Sequence, residues 1–415
     1  MIYGDLQRRL RPLRAELRRR PRLRALLVAC LAVTALYTLY HHCLARHDLW
    51  AKYSPTRFDK RFDAAADAIA RHNWALSLDT HESRPVLDHQ DQWRRLGGGF
   101  EGDVFRLNGS VIKTFNVRRS PLRNCVPGAA LETRWPAEIP ASVLLGGMRD
   151  DLRDEDDFLP VKDYFLTSPT NHAKASWHLV MPHLEGGSLL HLADRLRALG
   201  FGYRQLDAMF RPSLNRLLAA LDKVHNQYSL CHDDIKPENI FVASFSQAST
   251  PQTDTHWLLG DLGSVRSWVN PYHASRLWQR ESGQLADCRT NDAIRLVKTY
   301  VMFLRVSVAD TAPFDDAFWA GGEPWSHLYW WATRGPVPGS IAASSLREKS
   351  LEVAPRGVDE YHEQEHGIWS LRCLLNSACV QTATEKELQT QMVVKESRAR
   401  RFGLTGIFGL PSTSC

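Results

Sequence analysis

Cys231-His232-Asp233-Asp234-Ile235-Lys236-Pro237-Glu238-Asn239-Ile240 spaces its polar side chains in an order that one kind of chemistry needs. Asp234 can take or orient a hydroxyl proton. Lys236 follows two residues later and can hold an anionic group in transfer. Asn239, three residues further on, can serve as a metal ligand. One such loop can arise by chance, so its meaning depends on the chain before and after it.

Three further stretches stand in order around it. Upstream, Gly97-Gly98-Gly99-Phe100-Glu101-Gly102-Asp103-Val104 is rich in glycine, which lets backbone N–H groups approach phosphates without side-chain obstruction. Val111-Ile112-Lys113 reads as a strand entered through an Asn108-Gly109 turn; Asn108-Gly109-Ser110 is also a glycosylation sequon. Bracketed by Val111, Ile112 and Phe115, the lysine needs a partner to offset its desolvation. Downstream, Leu258-Leu259-Gly260-Asp261-Leu262-Gly263 sets one more carboxylate between apolar residues and a glycine. Taken together, these stretches resemble a eukaryotic-type protein kinase domain: glycine-rich loop, strand lysine, catalytic loop and metal-binding Asp-Phe-Gly. Two positions depart from the family pattern, Asp233 for the catalytic-loop Arg and Leu262 for Phe. The resemblance is good over residues 92–305 and faint over 306–400.

This resemblance implies an α+β, bilobal protein-kinase fold, with an antiparallel-sheet N-lobe and a mainly helical C-lobe; an apolar run, read below, is expected to precede it as a transmembrane helix. It implies ATP and Mg2+ as cofactors. Asp234 would be the catalytic acceptor of the hydroxyl proton, and Lys236 would steady the γ-phosphate. Lys113 would pair with the phosphates and with Glu138. Glu132 is the other candidate partner; Glu138 is preferred because Pro136 suits a helix's first turn, although Pro140 inside the stretch speaks against it. Gly97, Gly99, Gly102, Val104, Lys113, Met181 and Leu184 would form the nucleotide site, and Asn239 and Asp261 would hold the metal. His232 and Asp292 take structural roles by the same match. An arginine at position 233 would pair with a phosphorylated activation segment, whereas Asp233 would repel one. Regulation by activation-segment phosphorylation is therefore not expected. Ser264 to Arg289 also lacks the Ala-Pro-Glu sequence and a clear docking loop. The implied reaction transfers the γ-phosphate of Mg-ATP to a hydroxyl, with protein Ser/Thr the default acceptor of the family. The alternatives are a nucleotide-binding pseudokinase scaffold and a kinase acting on a glycan or small-molecule hydroxyl.

The 415 residues hold one such domain with extensions, and the net charge of +6 is concentrated at one end. Residues 1–24 carry nine arginines against Asp5 and Glu16; without them the chain is close to neutral. With no second basic stripe or stacking motif, nucleic-acid binding is not expected. Residues 25–45 follow as an apolar run of about 20 residues, the length of one membrane span. The arginines before it place the N-terminus on the cytosolic side and the kinase domain in a lumen, a single-pass type II arrangement. Residues 46–91 read as a juxtamembrane segment with a helical pattern at Phe62–Trp74. Then come the N-lobe (92–181), hinge (182–188), C-lobe (189–402, divergent after 305) and a loose tail (403–415). Acidic residues 150–157 read as a solvated loop, Phe158–Phe165 and Trp177–Met181 as strands, and Leu206–Tyr228 as a long helix. The aromatic block Phe314, Phe318, Trp325, Tyr329, Trp330 and Trp331 reads as packing under Gly/Pro loops. Ile368–Leu375 and Glu385–Arg401 read as closing helices. Eight scattered cysteines show no zinc-ligand spacing, and only Cys373 and Cys379 lie close enough in sequence to suggest a bridge.

Overall fold

A helix that begins fully exposed and ends buried, α1 (Pro21–Lys52), leads into the domain. In this computed structural model the described residues are 21–54, 56, 84–99, 102–115, 136–167, 176–243, 255–335, 341–353, 377–390 and 396–411. Among them, α1 is the one helix long and apolar enough to cross a bilayer. Its residues 21–40 are exposed, and at 1.5 Å per residue they span about 30 Å, the thickness of the hydrocarbon core. From His41 onward it packs on the domain, with Ala45, Asp48, Leu49 and Ala51 buried. The exposed apolar length thus stops short of the expected boundary at residue 45, and the first part of the juxtamembrane segment belongs to the same helix. Phe62–Trp74 lies outside the described residues.

After a short helix, α2 (Arg84–Asp88), the chain forms β1 (Arg94–Gly98), β2 (Gly102–Leu107) and β3 (Ser110–Phe115). Asn108 and Gly109 take positive φ angles of 43° and 74°, so their turn matches the right-handed strand twist and joins β2 to β3 tightly. Gly102 is obligatory for another reason: a Cβ there would lie 2.0 Å from the Thr114 carbonyl oxygen. Helix α3 (Glu138–Gly146) follows, then β4 (Asp163–Leu166) and β5 (Trp177–Pro182). All five strands pair antiparallel in the order β1-β2-β3-β5-β4. The strand expected over Phe158–Phe165 is divided. Pro160 has no N–H to give a ladder, and upstream of it Phe158 bridges to Leu259 while Leu159 N–H donates to the Leu259 carbonyl (3.3 Å) in the other lobe. The acidic stretch before it is not simply solvated. Asp156 is buried, pairs with Arg149 and accepts from the Arg153 N–H (2.8 Å), while Arg216 bonds Asp157 at 3.2 Å.

The second lobe is built on α4 (Leu189–Leu199) and α5 (Tyr203–Asn226). Leu206, Phe210, Leu214, Leu217, Leu221 and Val224 recur at three- and four-residue steps, so one face of α5 is buried throughout. Each such side chain contributes about 1.5–3 kcal/mol by leaving water. Two-stranded pairs β6 (Leu230–Cys231) with β9 (Arg266–Ser267), and β7 (Ile240–Val242) with β8 (Trp257–Leu259), cradle the polar loop between β6 and β7. Helix α6 (Cys288–Ser307) begins where the Asp287 side chain accepts from the Arg289 N–H. Helices α7 (Ala312–Ala320), α8 (Pro324–Arg334) and α9 (Ala343–Glu352) complete the lobe. The aromatic block packs between α7 and α8 rather than under loops: Phe314 stacks on Trp325 with centroids 4.2 Å apart, and Phe318 meets Tyr329 edge-on at 4.9 Å.

The closing region differs from expectation. Helices α10 (Ser377–Leu388) and α11 (Glu396–Phe402) replace the single helix expected over Glu385–Arg401, and Ile368–Leu375 lies outside the described residues. The tail is not loose as far as residue 411. It forms α12 (Thr405–Phe408) and lies along α1, with Arg46 Nη1 donating to the Gly409 carbonyl (2.5 Å). Cys379 is disulfide-bonded; Cys373, its expected partner, lies outside the described residues.

Cys231 and Cys288, 57 residues apart, form a buried disulfide between β6 and the first residue of α6. Closing a loop of that length lowers the entropy of the unfolded chain by an amount worth about 4 kcal/mol. Replacing both cysteines with serine is expected to lower the unfolding free energy by about that amount, read as a lower denaturation midpoint. Reductant, which also opens the bond at Cys379, is expected to lower the midpoint of the wild type at least as far. An unchanged midpoint in both experiments would show that the bridge contributes nothing to stability.

Candidate active site

Lys113 lies mid-strand on β3, opposite Val104 on β2 and Leu179 on β5, so all three share one face of the sheet. Its ammonium donates to Glu138 Oε2 (2.5 Å) and to Asp261 Oδ1 (2.7 Å). Glu138 is the first residue of α3 and is buried, with its carboxylate at the positive end of the helix. Pro140, the apparent obstacle in the sequence, is the third residue of α3. First-turn N–H groups have no partner within a helix, so proline costs nothing there. Glu132 lies outside the described residues. The buried cation that the strand pattern demanded a partner for thus meets, among the described residues, a carboxylate from each lobe.

Asp234, Lys236 and Asn239 converge in the loop between β6 and β7. Lys236 Nζ donates to Asp234 Oδ2 (2.7 Å), and Asn239 Nδ2 donates to the same oxygen (3.2 Å) and to the Asp234 carbonyl (2.9 Å). Asp292, fully buried on α6, holds the loop from below: its carboxylate accepts from the His232 N–H (2.6 Å) and the Asp233 N–H (2.9 Å). His232 reaches the Gly260 carbonyl (3.2 Å), and Gly260 N–H donates to the Asn239 carbonyl (2.9 Å). This ties the loop to the turn that carries Asp261. Asp261 adopts φ 52° and ψ 61°, a left-handed backbone that costs a non-glycine residue about 1–3 kcal/mol. Burial alone would raise its carboxyl pKa; the Lys113 charge and hydrogen bond, with Lys236 and His232 beyond, outweigh that and hold it below the usual carboxylate value.

Of the residues expected to face a nucleotide, Val104, Lys113 and Met181 lie on one face of β2, β3 and β5, and Leu184 follows β5 directly. Gly97 and Gly99 have no atom within 4 Å of where a Cβ would stand, whereas at Gly98 one would meet the Asp103 carboxylate. Phe100 and Glu101 lie outside the described residues.

Two residues not singled out in the sequence complete the loop's surroundings. The Asp233 carboxylate, wholly buried, accepts from Arg266 Nη1 (3.0 Å) and His273 Nε2 (2.9 Å). His273 Nδ1 lies 3.2 Å from the Trp268 carbonyl. Both ring nitrogens face oxygens, so both donate and the imidazole is charged. Burial would lower the His273 pKa, but the Asp233 charge and hydrogen bond raise it above 6.5. Burial would likewise raise Asp233, and the His273 and Arg266 charges instead depress it. Arg295 Nη1 adds a bond to the Asp233 carbonyl (3.1 Å). Asp233 thus meets cations on the segment after Asp261. Asking which cation a buried Asp233 would require was the signal available in the sequence.

An antiparallel-sheet lobe and a mainly helical lobe, with these groups at their junction, form the bilobal protein-kinase-like fold expected from the sequence. No protein-family model matches the chain, and no curated protein matches it significantly. Among solved structures, the Mycobacterium tuberculosis PknI kinase domain is similar at 15% identity and TM-score 0.38, over 63% of this chain and 94% of that one. A double mutant of the same domain gives 14% identity and TM-score 0.39, over 63% and 93%. Likeness at this level bears on neither activity nor substrate.

The Asp233–His273 pair has a pH signature. His273 is raised in the fold, so the folded protein holds a proton that the unfolded chain releases above about pH 6.5. The stability it contributes is full below that pH and is lost as pH rises through the folded pKa. His273→Gln is expected to remove this fall, seen as the difference between wild-type and variant denaturation midpoints from pH 6 to 9. Parallel curves would show that His273 is neutral in the fold.

Proposed function

We propose that this chain is a membrane-anchored phosphotransferase that moves the γ-phosphoryl group of ATP to a hydroxyl, with protein Ser/Thr as the acceptor class. The observation that carries the proposal is Lys113, bonded at once to Glu138 on the sheet lobe and Asp261 on the helical lobe, beside a loop that gathers Asp234, Lys236 and Asn239. In ordinary structural ion-pair networks a lysine does not require this accompanying set.

In the proposed reaction the bond that forms joins the acceptor oxygen to the γ-phosphorus, and the bond that breaks releases ADP. Asp234 takes or orients the hydroxyl proton, and the Lys236 ammonium faces the transferring group. Lys113 fixes the polyphosphate by charge, and Val104 and Met181 enclose the base against the sheet. Asp261 and Asn239 fit a magnesium ion: carboxylate and amide oxygens are the hard donors it takes, and Asp261 remains 35% exposed at the cleft. When bound, the ion neutralises phosphate charge. Charge count supports the same fit. Two lysines face three carboxylates, so the site without a divalent cation would repel a nucleoside triphosphate.

We further place the domain on the luminal side of a membrane. Arginines N-terminal to α1 favour that orientation, and the buried Cys231–Cys288 bridge suits an oxidising compartment.

Full-length protein in detergent, given Mg-ATP labelled in the γ-phosphate and a panel of peptides, proteins and glycans, is expected to label a protein Ser or Thr. Asp234→Asn should lower that rate by about 10²–10⁴-fold. A folded protein that binds Mg-ATP yet labels nothing would instead be a nucleotide-binding scaffold, and label confined to glycans would reassign the acceptor. In sealed microsomes, protease added outside is expected to spare the domain and cut it only after detergent. Digestion without detergent would reverse the orientation.

A further inference from the structure

We infer that the C-terminal segment 402–409 is a second membrane contact, inserted into the lipid interface beside α1. The inference rests on reading α1 as a membrane span. Helix α11 runs antiparallel to the end of α1: Glu396 pairs with Lys52 and bonds Tyr53, the backbone at Gly403 lies beside Leu49 and Arg46, and Phe402 reaches His41 with ring centroids 5.5 Å apart. Going from Lys52 to His42 descends about 15 Å along a helix. The tail therefore travels from the domain toward the membrane as α1 climbs away from it.

At the bottom of this descent, the Phe408 ring lies 5.9 Å from that of His42, two residues beyond the last fully exposed residue of the apolar run. Ile407 is 74% exposed and Phe408 60%, and Leu404 is exposed with them. The segment is fastened to α1 rather than dangling, because the Gly409 carbonyl accepts from Arg46 and His42 Nδ1 meets the Phe402 carbonyl (3.1 Å). Water-facing apolar residues on a fastened segment are unfavourable unless something covers them. Tyr37, Leu39 and Tyr40, exposed on α1 within five residues of His42, are ones the bilayer itself would cover. Charge points to the same occupant. Arg398 and Arg401 flank the tip, while Arg400 is held by Glu396 and Tyr53; two cations beside an inserted apolar segment suit phospholipid phosphates. Lipid, rather than a second copy or another protein, is the occupant that both the level of the segment and its charge select.

The test uses the full chain in vesicles of phosphatidylcholine with phosphatidylserine. The photoreactive residue p-benzoylphenylalanine replaces Ile407, or separately Leu31 in the exposed run of α1, or Leu199 at the exposed end of α4. Crosslinking to lipid at positions 407 and 31, and not at 199, is the expected result. Lipid crosslinks at 31 with none at 407, or crosslinks from 407 to another protein chain, would overturn the second contact while leaving the span intact. Failure at both 31 and 407 would remove the span reading and this inference together. Equal crosslinking at 407 and 199 would show that position 407 has no special place at the membrane and would also overturn it.

Discussion

A carboxylate with no access to water, Asp233, constrains the chain around it more than any other single group. Stranding such a charge costs several kcal/mol, so the fold is viable only when cations arrive to meet it. They arrive from one segment, Arg266 on β9 and His273 seven residues later. Bringing them in pairs β6 with β9 and folds the chain after Asp261 back over the polar loop. That fold-back buries Tyr272, Leu277 and Trp278, and with Cys231 and Cys288 they form the surface on which Leu49 of α1 and Tyr53 just beyond it pack. Polar pairing thus comes first in the logic, and the apolar platform follows from it.

This order explains why a segment without the family's usual phosphate latch is nonetheless well formed. A phosphate paired with arginine can be added or removed, whereas an Asp–Arg–His cluster is present from the moment the chain folds. Its charges lie beneath the loop and are screened little by salt. The Asp233 backbone is also held by Asp292 and Arg295, so Asp234 next to it has little freedom to drift. Geometry at the candidate catalytic aspartate is in this way set by residues that do not face the cleft.

What could be read from the chain beforehand follows the range of the interactions. The Asn108-Gly109 turn and the strand at Trp177–Met181 are decided by neighbours, and they stand as read, whereas Phe158–Phe165 is divided by a contact from the other lobe. Lys113 announced its need for a partner through desolvation, and Glu138 was reachable through Pro136, with Pro140 an objection that only its place in the first helical turn removes. By contrast, Arg266 and His273 lie 33 and 40 residues from Asp233, and nothing local marks them. Cys231 and Cys288 were hidden among scattered cysteines for the same reason. The closing helices were misjudged because Glu396, Lys52 and Tyr53 satisfy one another across most of the chain, and no local pattern encodes a contact with the N-terminal helix.

Those long-range contacts make the C-terminal part of α1 a member of the domain rather than a tether. Asp48 on α1 accepts from the Arg276 N–H (3.2 Å), and Thr56 donates to the Val265 carbonyl (3.0 Å), four residues beyond Asp261. A flexible linker would leave the placement of α1 to chance. A continuous helix bonded to the segment that carries Arg266 and His273 instead fixes how α1 sits relative to that segment. Detaching α1 would expose Leu49, Tyr53 and the Trp278 cluster to water, so hydrophobic burial opposes the separation. The orientation of the candidate site and the stability of its supporting segment are consequently held by the same contacts.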